Sequence, residues 1–239
     1  TQCLFGNNFN FWVGNKQSTS TYTWRLGSVN ATGTTYTTSF IKAFKDSILL
    51  VSETDLGCRD SISIPIEVFE MPSVDFATSK FIGCADEEIT FTDQSKSTNP
   101  STYQWSFGDG GGSSAQNPTH IFSKSDSFSV KLEVQNKEGC TNALTKIFEV
   151  AEVPKADFSF NMASPCENEN RVKFTNTSQS KHNYFSLWSF GDGSTSSAIA
   201  PGRPFEGGYH LVSLEVENIK GCTDTVRKGF KVSYSPKAW

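Results

Sequence analysis

The sequence predicts an all-β protein built from three tandem β-sandwich domains in an extended rod. Two observations carry this prediction: a unit of roughly 80 residues recurs, and its apolar residues alternate instead of following a helical period. The phrase Trp-Ser-Phe-Gly-Asp-Gly occupies residues 105–110 and returns at residues 188–193. A divergent first copy keeps a tryptophan, Trp24, and a Gly-Cys pair ending at Cys58, but reads Trp-Arg-Leu-Gly-Ser where the phrase is expected.

The second copy shows the strand pattern most clearly. Its alternating stretches, in chain order, are residues 74–76, 89–92, 103–107, 120–122, 128–134 and 147–150. Side chains two positions apart share a face, which predicts strands with one buried side. Asp109-Gly110 and Lys137-Glu138-Gly139 are turn signals, because Asp-Gly readily takes the positive φ angles of a tight hairpin. About seven short strands with such regular turns are typical of an immunoglobulin-like sandwich.

Similar junctions separate the copies. Residues 67–72 and 149–154 each end a strand, pass through a proline and lead into the next opening strand. We therefore predict three repeats and a tail or linker, at residues 1–71, 72–153, 154–234 and 235–239. Short connectors that contain proline limit reach and flexibility, which is why we expect a rod.

Composition excludes several partners. The net charge is −4, and no basic run of the kind required by a phosphate backbone occurs, so we expect no nucleic-acid partner. No apolar stretch approaches the ~20 residues of a membrane helix, so we expect no membrane insertion. The chain starts at Thr1 without a methionine or signal peptide, and we expect a processed product or a piece of something longer.

The repeated phrase, together with Asn117-Pro118-Thr119-His120 and a Phe-x-Val-x-Leu-x-Val strand, strongly resembles the PKD (polycystic kidney disease) domain family. The second and third repeats match it well, and the first is assigned by cysteine spacing and strand pattern. Gly-Cys-Thr after the long strand is similar to the tandem PKD-like arrays of large secreted proteins in gliding, type IX-secreting Bacteroidota. That resemblance implies an extracellular, cell-surface adhesin.

Six cysteines recur with the repeat, in two sets. One set precedes the tryptophan by about twenty residues and the other follows a glycine; they are Cys3, Cys84 and Cys166, then Cys58, Cys140 and Cys222. There is no Cys-x-x-Cys and no histidine at ligand spacing, so the pattern favours disulfides in an oxidising compartment over a zinc site.

Two pairing schemes are open. The first closes each repeat, as Cys3–Cys58, Cys84–Cys140 and Cys166–Cys222. The second is a ladder between repeats, Cys3–Cys140 and Cys84–Cys222, in which Cys58 and Cys166 bond to flanking domains. In immunoglobulin topology the two cysteines of one repeat lie at opposite ends of the sandwich, roughly 20 Å apart, whereas a disulfide allows about 7 Å between Cα atoms. We favour the ladder, which suits a filament under tension, although an irregular opening strand would allow the first scheme.

The remaining candidates are mainly structural. We interpret Asp109 and Asp192 as turn residues. The residues predicted for the core and the turns are Trp24, Trp105, Phe107, Asp109, Gly110, Trp188, Phe190, Asp192 and Gly193. The family resemblance makes Asp75 and Asp93 weak calcium candidates, but Ser106 and Ser189 replace the family's usual aspartate. Calcium takes six or more oxygens, so we expect no metal and no cofactor.

No motif indicates catalysis. His120, His182 and His210 lack a metalloprotease or serine-hydrolase context, and we expect no enzymatic activity. We expect most aromatic side chains to lie in the core, although clusters at residues 5–12 and 184–185 could instead form a binding platform.

Three short patterns resemble O-glycosylation sites of Bacteroidota, and the resemblance implies possible glycosylation of Ser47, Ser61 and Thr225. We therefore predict a non-catalytic, disulfide-braced segment of a secreted or cell-surface adhesin. Its expected partners are neighbouring repeats of the same polypeptide and a surface protein or glycan. The alternative is an accessory substrate- or carbohydrate-binding module of a secreted hydrolase.

Overall fold

The computed structural model describes residues 1–166 and 170–235, so residues 236–239 of the predicted tail lie outside the described residues. Within those ranges the chain forms β-strands and no helix, which confirms the all-β prediction. None of the described segments is therefore a long apolar helix able to span a membrane.

The strands follow the repeat. Those of the first repeat are β1 Gln2–Cys3, β2 Phe9–Trp12, β3 Ser20–Leu26, β4 Val29–Thr32, β5 Thr35–Thr38, β6 Phe44–Thr54 and β7 Arg59–Phe69. Those of the second are β8 Phe76–Thr78, β9 Ile82–Cys84, β10 Glu88–Asp93, β11 Pro100–Ser106, β12 Gly112–Ser113, β13 Thr119–Ile121, β14 Asp126–Asn136 and β15 Thr141–Ala151. Those of the third are β16 Phe158–Met162, β17 Val172–Asn176, β18 Tyr184–Ser189, β19 Thr195–Ser196, β20 Gly202–Arg203, β21 Gly208–Asn218 and β22 Thr223–Val232.

The described chain divides into two compact units. The first comprises residues 1–77, 91–118 and 130–146, and the second comprises residues 78–90, 119–129 and 147 onward. The division runs through the second repeat and not along the predicted boundaries. Those boundaries and the rod arrangement stay predictions.

In the first unit, the first repeat forms a five-stranded sheet in the order β1-β7-β6-β3-β4 and a two-stranded sheet, β2-β5. Apolar side chains from both sheets form one core, with Trp24 and Ile48 almost fully buried at its centre. Part of the second repeat belongs to the same unit. There β11 pairs with β12 and β14, and Trp105 packs edge-on against Phe76 and beside Phe91.

In the second unit, the third repeat has two sheets, β16-β17-β20 and β19-β18-β21-β22. They pack into a sandwich whose core includes Phe158 and Phe174 from the first sheet and Trp188 and Leu214 from the second. The alternation seen in the sequence produces this, because successive strand residues point to opposite faces. The unit also contains the pairs β10–β13 and β9–β15 from the second repeat.

The structure corrects the details of two local predictions. The final strand of the second repeat was expected at residues 147–150, but β15 runs from Thr141 to Ala151 because pairing extends over polar residues beyond the apolar pattern. The turn after β11 also differs from the expected one. Gly108 and Gly110 have positive φ angles, of 85° and 98°, whereas Asp109 does not. Glycine adopts positive φ without a Cβ penalty, so the two glycines take these positions, and the side chain of Asp109 accepts a hydrogen bond.

Candidate functional site

The first half of the candidate site is an edge strand that carries a cysteine. Cys3 lies in β1, which pairs in parallel with β7 so that Cys3 is opposite Phe69. Cys84 lies in β9, which pairs in parallel with β15 and places Cys84 opposite Ala151. Cys166 forms an isolated parallel bridge with Ser233. In every repeat this cysteine therefore lies beside the end of the final long strand, where the chain leaves the repeat.

The second half is the turn between the last two strands. It carries Cys58, Cys140 and Cys222, each preceded by a glycine in the left-handed region, with φ of 81°, 87° and 84°. The residue four positions before the cysteine accepts its backbone N–H: Thr54 Oγ1 at 3.1 Å, Asn136 Oδ1 at 2.7 Å and Asn218 Oδ1 at 3.1 Å. The three turns therefore share one backbone shape.

Two disulfides join an edge strand to the turn of the following repeat. Cys3 is bonded to Cys140, and Cys84 is bonded to Cys222, with Cα–Cα distances of 5.5 and 5.7 Å. Both turn cysteines are buried, at 1% and 0% exposure. This is the pairing of the predicted ladder. Each of the two bonds connects groups within one compact unit.

The one-per-repeat scheme, Cys3–Cys58, Cys84–Cys140 and Cys166–Cys222, is absent from the structure. Cys140 immediately precedes β15, whereas Cys84 lies opposite its last residue, Ala151. A strand rises about 3.3 Å per residue, so the length of β15 places the two cysteines far beyond the reach of one disulfide.

Each joined turn also holds the connector that leads into its own repeat. Asn136 Nδ2 donates to the carbonyl of Glu70 at 3.0 Å, and Asn218 Nδ2 donates to the carbonyl of Glu152 at 2.7 Å. Asn142 Nδ2 donates to Pro72 O at 2.8 Å. A buried side-chain amide whose N–H and C=O groups are both hydrogen-bonded fixes the backbone segment that it contacts, because a buried group without a hydrogen bond costs free energy. The connector is thus fixed by hydrogen bonds beside each disulfide.

Cys58 and Cys166 have no disulfide partner in the structure. Cys58 is exposed and Cys166 is partly exposed, in contrast to the buried cysteines of the joined turns. Their predicted bonds to flanking domains stay a prediction.

The repeated phrase lies in the core and its hairpin. The indole N–H groups of Trp24, Trp105 and Trp188 donate to the carbonyls of Gly33, Ala115 and Ala198, each at 2.9 Å. Phe107 and Phe190 are also buried, at 1% and 5% exposure. The tryptophans therefore pack and brace a loop, and their rings are not presented to a ligand.

Asp109 and Asp192 cap the hairpin that ends with Gly110 and Gly193. Asp109 Oδ1 accepts the N–H of Gly111, and Asp192 Oδ1 accepts the N–H of Ser194, both at 2.9 Å. The hydroxyl and N–H of Ser194, followed by the guanidinium of Arg203 at 2.6 Å, hold the pKa of Asp192 well below its ordinary value. The carboxylate is therefore engaged in turn chemistry.

The calcium candidates have other partners. Asp75 forms an ion pair with Lys146 at 2.6 Å, and that hydrogen bond, with the N–H of Phe76, lowers the pKa of Asp75 below its ordinary value. Asp93 accepts hydrogen bonds from the N–H of Ser95 and from Gln116 Nε2, at 2.9 and 3.1 Å. Within the described residues, no group of three or more acidic, histidine or cysteine side chains could hold a metal ion.

The histidines have structural surroundings. His120 packs edge-on against Phe122, His210 Nε2 lies 2.8 Å from the carbonyl of Glu206, and the backbone N–H of His182 donates to Ser180 Oγ.

For the aromatic clusters at residues 5–12 and 184–185, both a core position and an exposed platform were left open, and three of their side chains are exposed. Phe5, Trp12 and Phe185 are 87%, 72% and 71% exposed. Phe5 lies in a loop. Trp12 in β2 and Phe185 in β18 lie at positions that face the solvent, because successive side chains of a strand point to opposite faces. Ser47, Ser61 and Thr225 are also exposed, so glycosylation there stays a prediction.

Sequence reasoning missed two sets of residues. Asn136 and Asn218 share the pattern Asn-x-x-Gly-Cys, which was visible in both clear repeats. Lys146 and Lys228 each bind the aspartate at the start of their repeat, and each lies over a phenylalanine ring. That contact spans about 70 residues and had no local signal.

Comparisons with known proteins place these features. Residues 70–153 match the PKD domain family. Collagenase ColA of Bacillus cereus is 39% identical over 62 residues, which cover 25% of this chain and only 6% of that protein. The PKD1 domain of the Vibrio cholerae metalloprotease PrtV is 32% identical, with 34% of this chain and 98% of that chain covered and a TM-score of 0.31. An I-band fragment of titin is 12% identical, with 99% and 95% covered and a TM-score of 0.50. The second repeat is therefore similar to PKD domains, and the chain has an immunoglobulin-like β-sandwich fold.

Proposed function

We propose that this chain is a non-catalytic stalk segment of a secreted, cell-surface adhesin, in which disulfides carry load from one repeat to the next. The observation that carries the proposal is the pair of bonds Cys3–Cys140 and Cys84–Cys222, each of which links an edge strand to the turn of the following repeat.

The two disulfides overlap along the chain, which matters under tension. The backbone route from Cys3 to Cys222 is 219 residues long. The shortest covalent route crosses to Cys140, runs back to Cys84 and crosses to Cys222, and therefore includes only 56 residues of backbone. At ~3.5 Å per extended residue these routes measure about 770 and about 200 Å. A stretched segment would reach its covalent limit after a short extension.

The disulfides also stabilise the repeats at rest. They span sequence separations of 137 and 138 residues. In the chain-entropy account, closing a loop of that size removes about 5 kcal/mol of denatured-state entropy. Such bonds persist in oxidising compartments and are typical of extracellular proteins. Cell-surface placement, type IX secretion and a role in gliding motility belong to the proposal.

Partners follow from the proposed role. Neighbouring repeats of the same polypeptide would continue the stalk, and a surface protein or glycan would be the adhesive ligand.

Single-molecule stretching tests the load-bearing role. With handles at Thr1 and Ser235, the oxidised chain should reach an end-to-end length of at most about 250 Å, and the reduced chain about 820 Å, at ~3.5 Å per residue. The Cys84→Ser variant, which keeps Cys3–Cys140, should stop at about 340 Å under the same conversion. Equal lengths with and without reductant would contradict the proposal. Surface labelling of intact producing cells is the matching test of location.

A second candidate is an accessory module of a secreted hydrolase, and the match to a collagenase favours it. Sedimentation with insoluble collagen, cellulose and chitin separates the two candidates. The module predicts saturable binding to one matrix, which weakens when Trp12 or Phe185 is changed to alanine. The stalk predicts that binding to these three matrices is absent or is unchanged by either substitution, because its function rests on the disulfides.

A further inference from the structure

Resting on the proposed stalk function, we propose that the edge around Cys166 is a docking site for the turn around Cys58 of a second copy of this chain. The copies would join head to tail through a Cys166–Cys58 disulfide. The edge surface is defined by Cys166, Ser233 and Tyr234, and the turn surface by Thr54, Leu56 and Cys58.

The turn surface matches the two turns that are already joined. Thr54 N–H donates to Cys58 O at 2.9 Å, and Gly57 N–H donates to Thr54 O at 3.0 Å. The equivalent bonds in the turn of Cys140 involve Asn136 and measure 3.0 and 3.1 Å. The backbone of the Cys58 turn therefore has the same hydrogen bonds as the turn of Cys140, which is already joined.

The edge surface matches the two joined edges. Cys166 pairs in parallel with Ser233, as Cys3 pairs with Phe69 and Cys84 with Ala151. The N–H of Ser233 donates to Pro165 O at 2.8 Å, which ties this edge to the end of β22.

The two surfaces are complementary halves. In both disulfides a turn cysteine is bonded to an edge cysteine. The unbonded cysteines are one of each kind, Cys58 in a turn and Cys166 on an edge. Unlike halves make a heterologous contact, which joins copies head to tail. A turn–turn or edge–edge pair has no counterpart among the bonds of this chain.

Apolar exposure supports the same partner. Leu56, two residues before Cys58, is 89% exposed, and Tyr234, next to Ser233, is 72% exposed. A cleft of about 1030 Å³ opens on the third repeat; its lining is aromatic on one part, with Phe205 and Tyr234, and charged on another, with Arg203 and Glu206. It adjoins Cys166 through Asn170, whose Nδ2 donates to both Cys166 O and Phe205 O, at 3.2 and 2.6 Å. Leu56 of the incoming turn would pack against Tyr234, on the aromatic part of this cleft.

The covalent step needs an oxidant, and a low-molecular-weight disulfide such as oxidised glutathione supplies it. The Cys166 and Cys58 thiols lose two protons and two electrons to form one S–S bond, and oxidised glutathione is reduced to two thiols.

The test uses two variants of the full chain, Cys58→Ser and Cys166→Ser, mixed in equal amounts with oxidised glutathione. The mixture should form disulfide-linked dimer at least about tenfold more than either variant alone, because docking raises the effective concentration of the two thiols. Adding Leu56→Asp to the Cys166→Ser partner should remove most of that excess.

Peptide mapping of the dimer should identify a Cys58–Cys166 peptide, with Cys3–Cys140 and Cys84–Cys222 intact. Symmetric dimers from single variants in equal yield, or no dimer from the mixture, would overturn the docking proposal. Such a result would leave the stretching experiment, and therefore the stalk proposal, unaffected.

Discussion

Asn136 donates a hydrogen bond from its side-chain amide to the backbone carbonyl of Glu70, 66 residues earlier in the chain and 3.0 Å away. The same side chain accepts the N–H of Cys140, and Asn136 is 3% exposed. The Asn136 side chain therefore links the segment that leads into the second repeat to the turn that carries Cys140. Thr54 is the counterpart of Asn136 in the first repeat and has a hydroxyl in place of the amide.

Replacing this amide should destabilise the junction in two steps. Asn136→Thr keeps an acceptor for Cys140 and loses only the bond to Glu70, and should lower the free energy of unfolding by about 1 kcal/mol. Asn136→Ala loses both bonds in a buried place and should cost about 2–3 kcal/mol. Urea denaturation measures both variants. An Asn136→Thr variant as stable as the parent would show that the bond to Glu70 contributes nothing, and equal costs would show the same of the bond to Cys140.

Removing one disulfide should have a much larger effect than removing an unbonded thiol. Cys3→Ser should lower the free energy of unfolding by about 3–5 kcal/mol, whereas Cys58→Ser, at an exposed position, should leave it nearly unchanged. Reductant should abolish the difference between the two variants. Non-reducing peptide mapping provides the independent check, since a Cys84–Cys140 peptide contradicts the ladder.

Acid should destabilise the fold through Asp75. The ammonium of Lys146 and the N–H of Phe76 lower the pKa of Asp75 below its ordinary value of 3.8. The stabilisation is therefore complete above about pH 4, where the unfolded carboxyl is also ionised, and is lost as the pH falls through the lowered pKa. With Lys146→Met, the free energy of unfolding, measured by urea denaturation at a series of pH values, should depend less on pH in this acid range. In an Asp75→Asn background, the same substitution should leave the pH dependence of the free energy of unfolding unchanged.

Calcium should not stabilise the chain. Asp75 is paired with Lys146, and Asp93 accepts N–H groups from Ser95 and Gln116, so neither offers the oxygen-rich shell that calcium takes. The melting temperature in millimolar calcium should equal that in chelator. A rise of several degrees would contradict the prediction and direct attention to these two aspartates.

Much of the fold could be predicted because its signals are local. Alternation along residues 128–134 predicted β14, and the repeated phrase placed Trp105 and Trp188 in the core. Lys137-Glu138-Gly139 was predicted to be a turn, and Gly139 supplies its left-handed residue. Exposure of Trp12 and Phe185 was not predictable in this way, because strand register and not residue type decides which face meets the solvent.

The sequence by itself determined that one β-rich unit is written three times, with two kinds of cysteine in each copy. Only the tertiary structure decided which cysteines meet. The edge strands β1 and β9 have two and three residues and no periodic signal, and their parallel pairing with β7 and β15 comes from contacts far along the chain. A local pattern encodes the conformation of a few residues, whereas disulfide pairing requires the packing of whole repeats to bring two sulfur atoms within bonding distance.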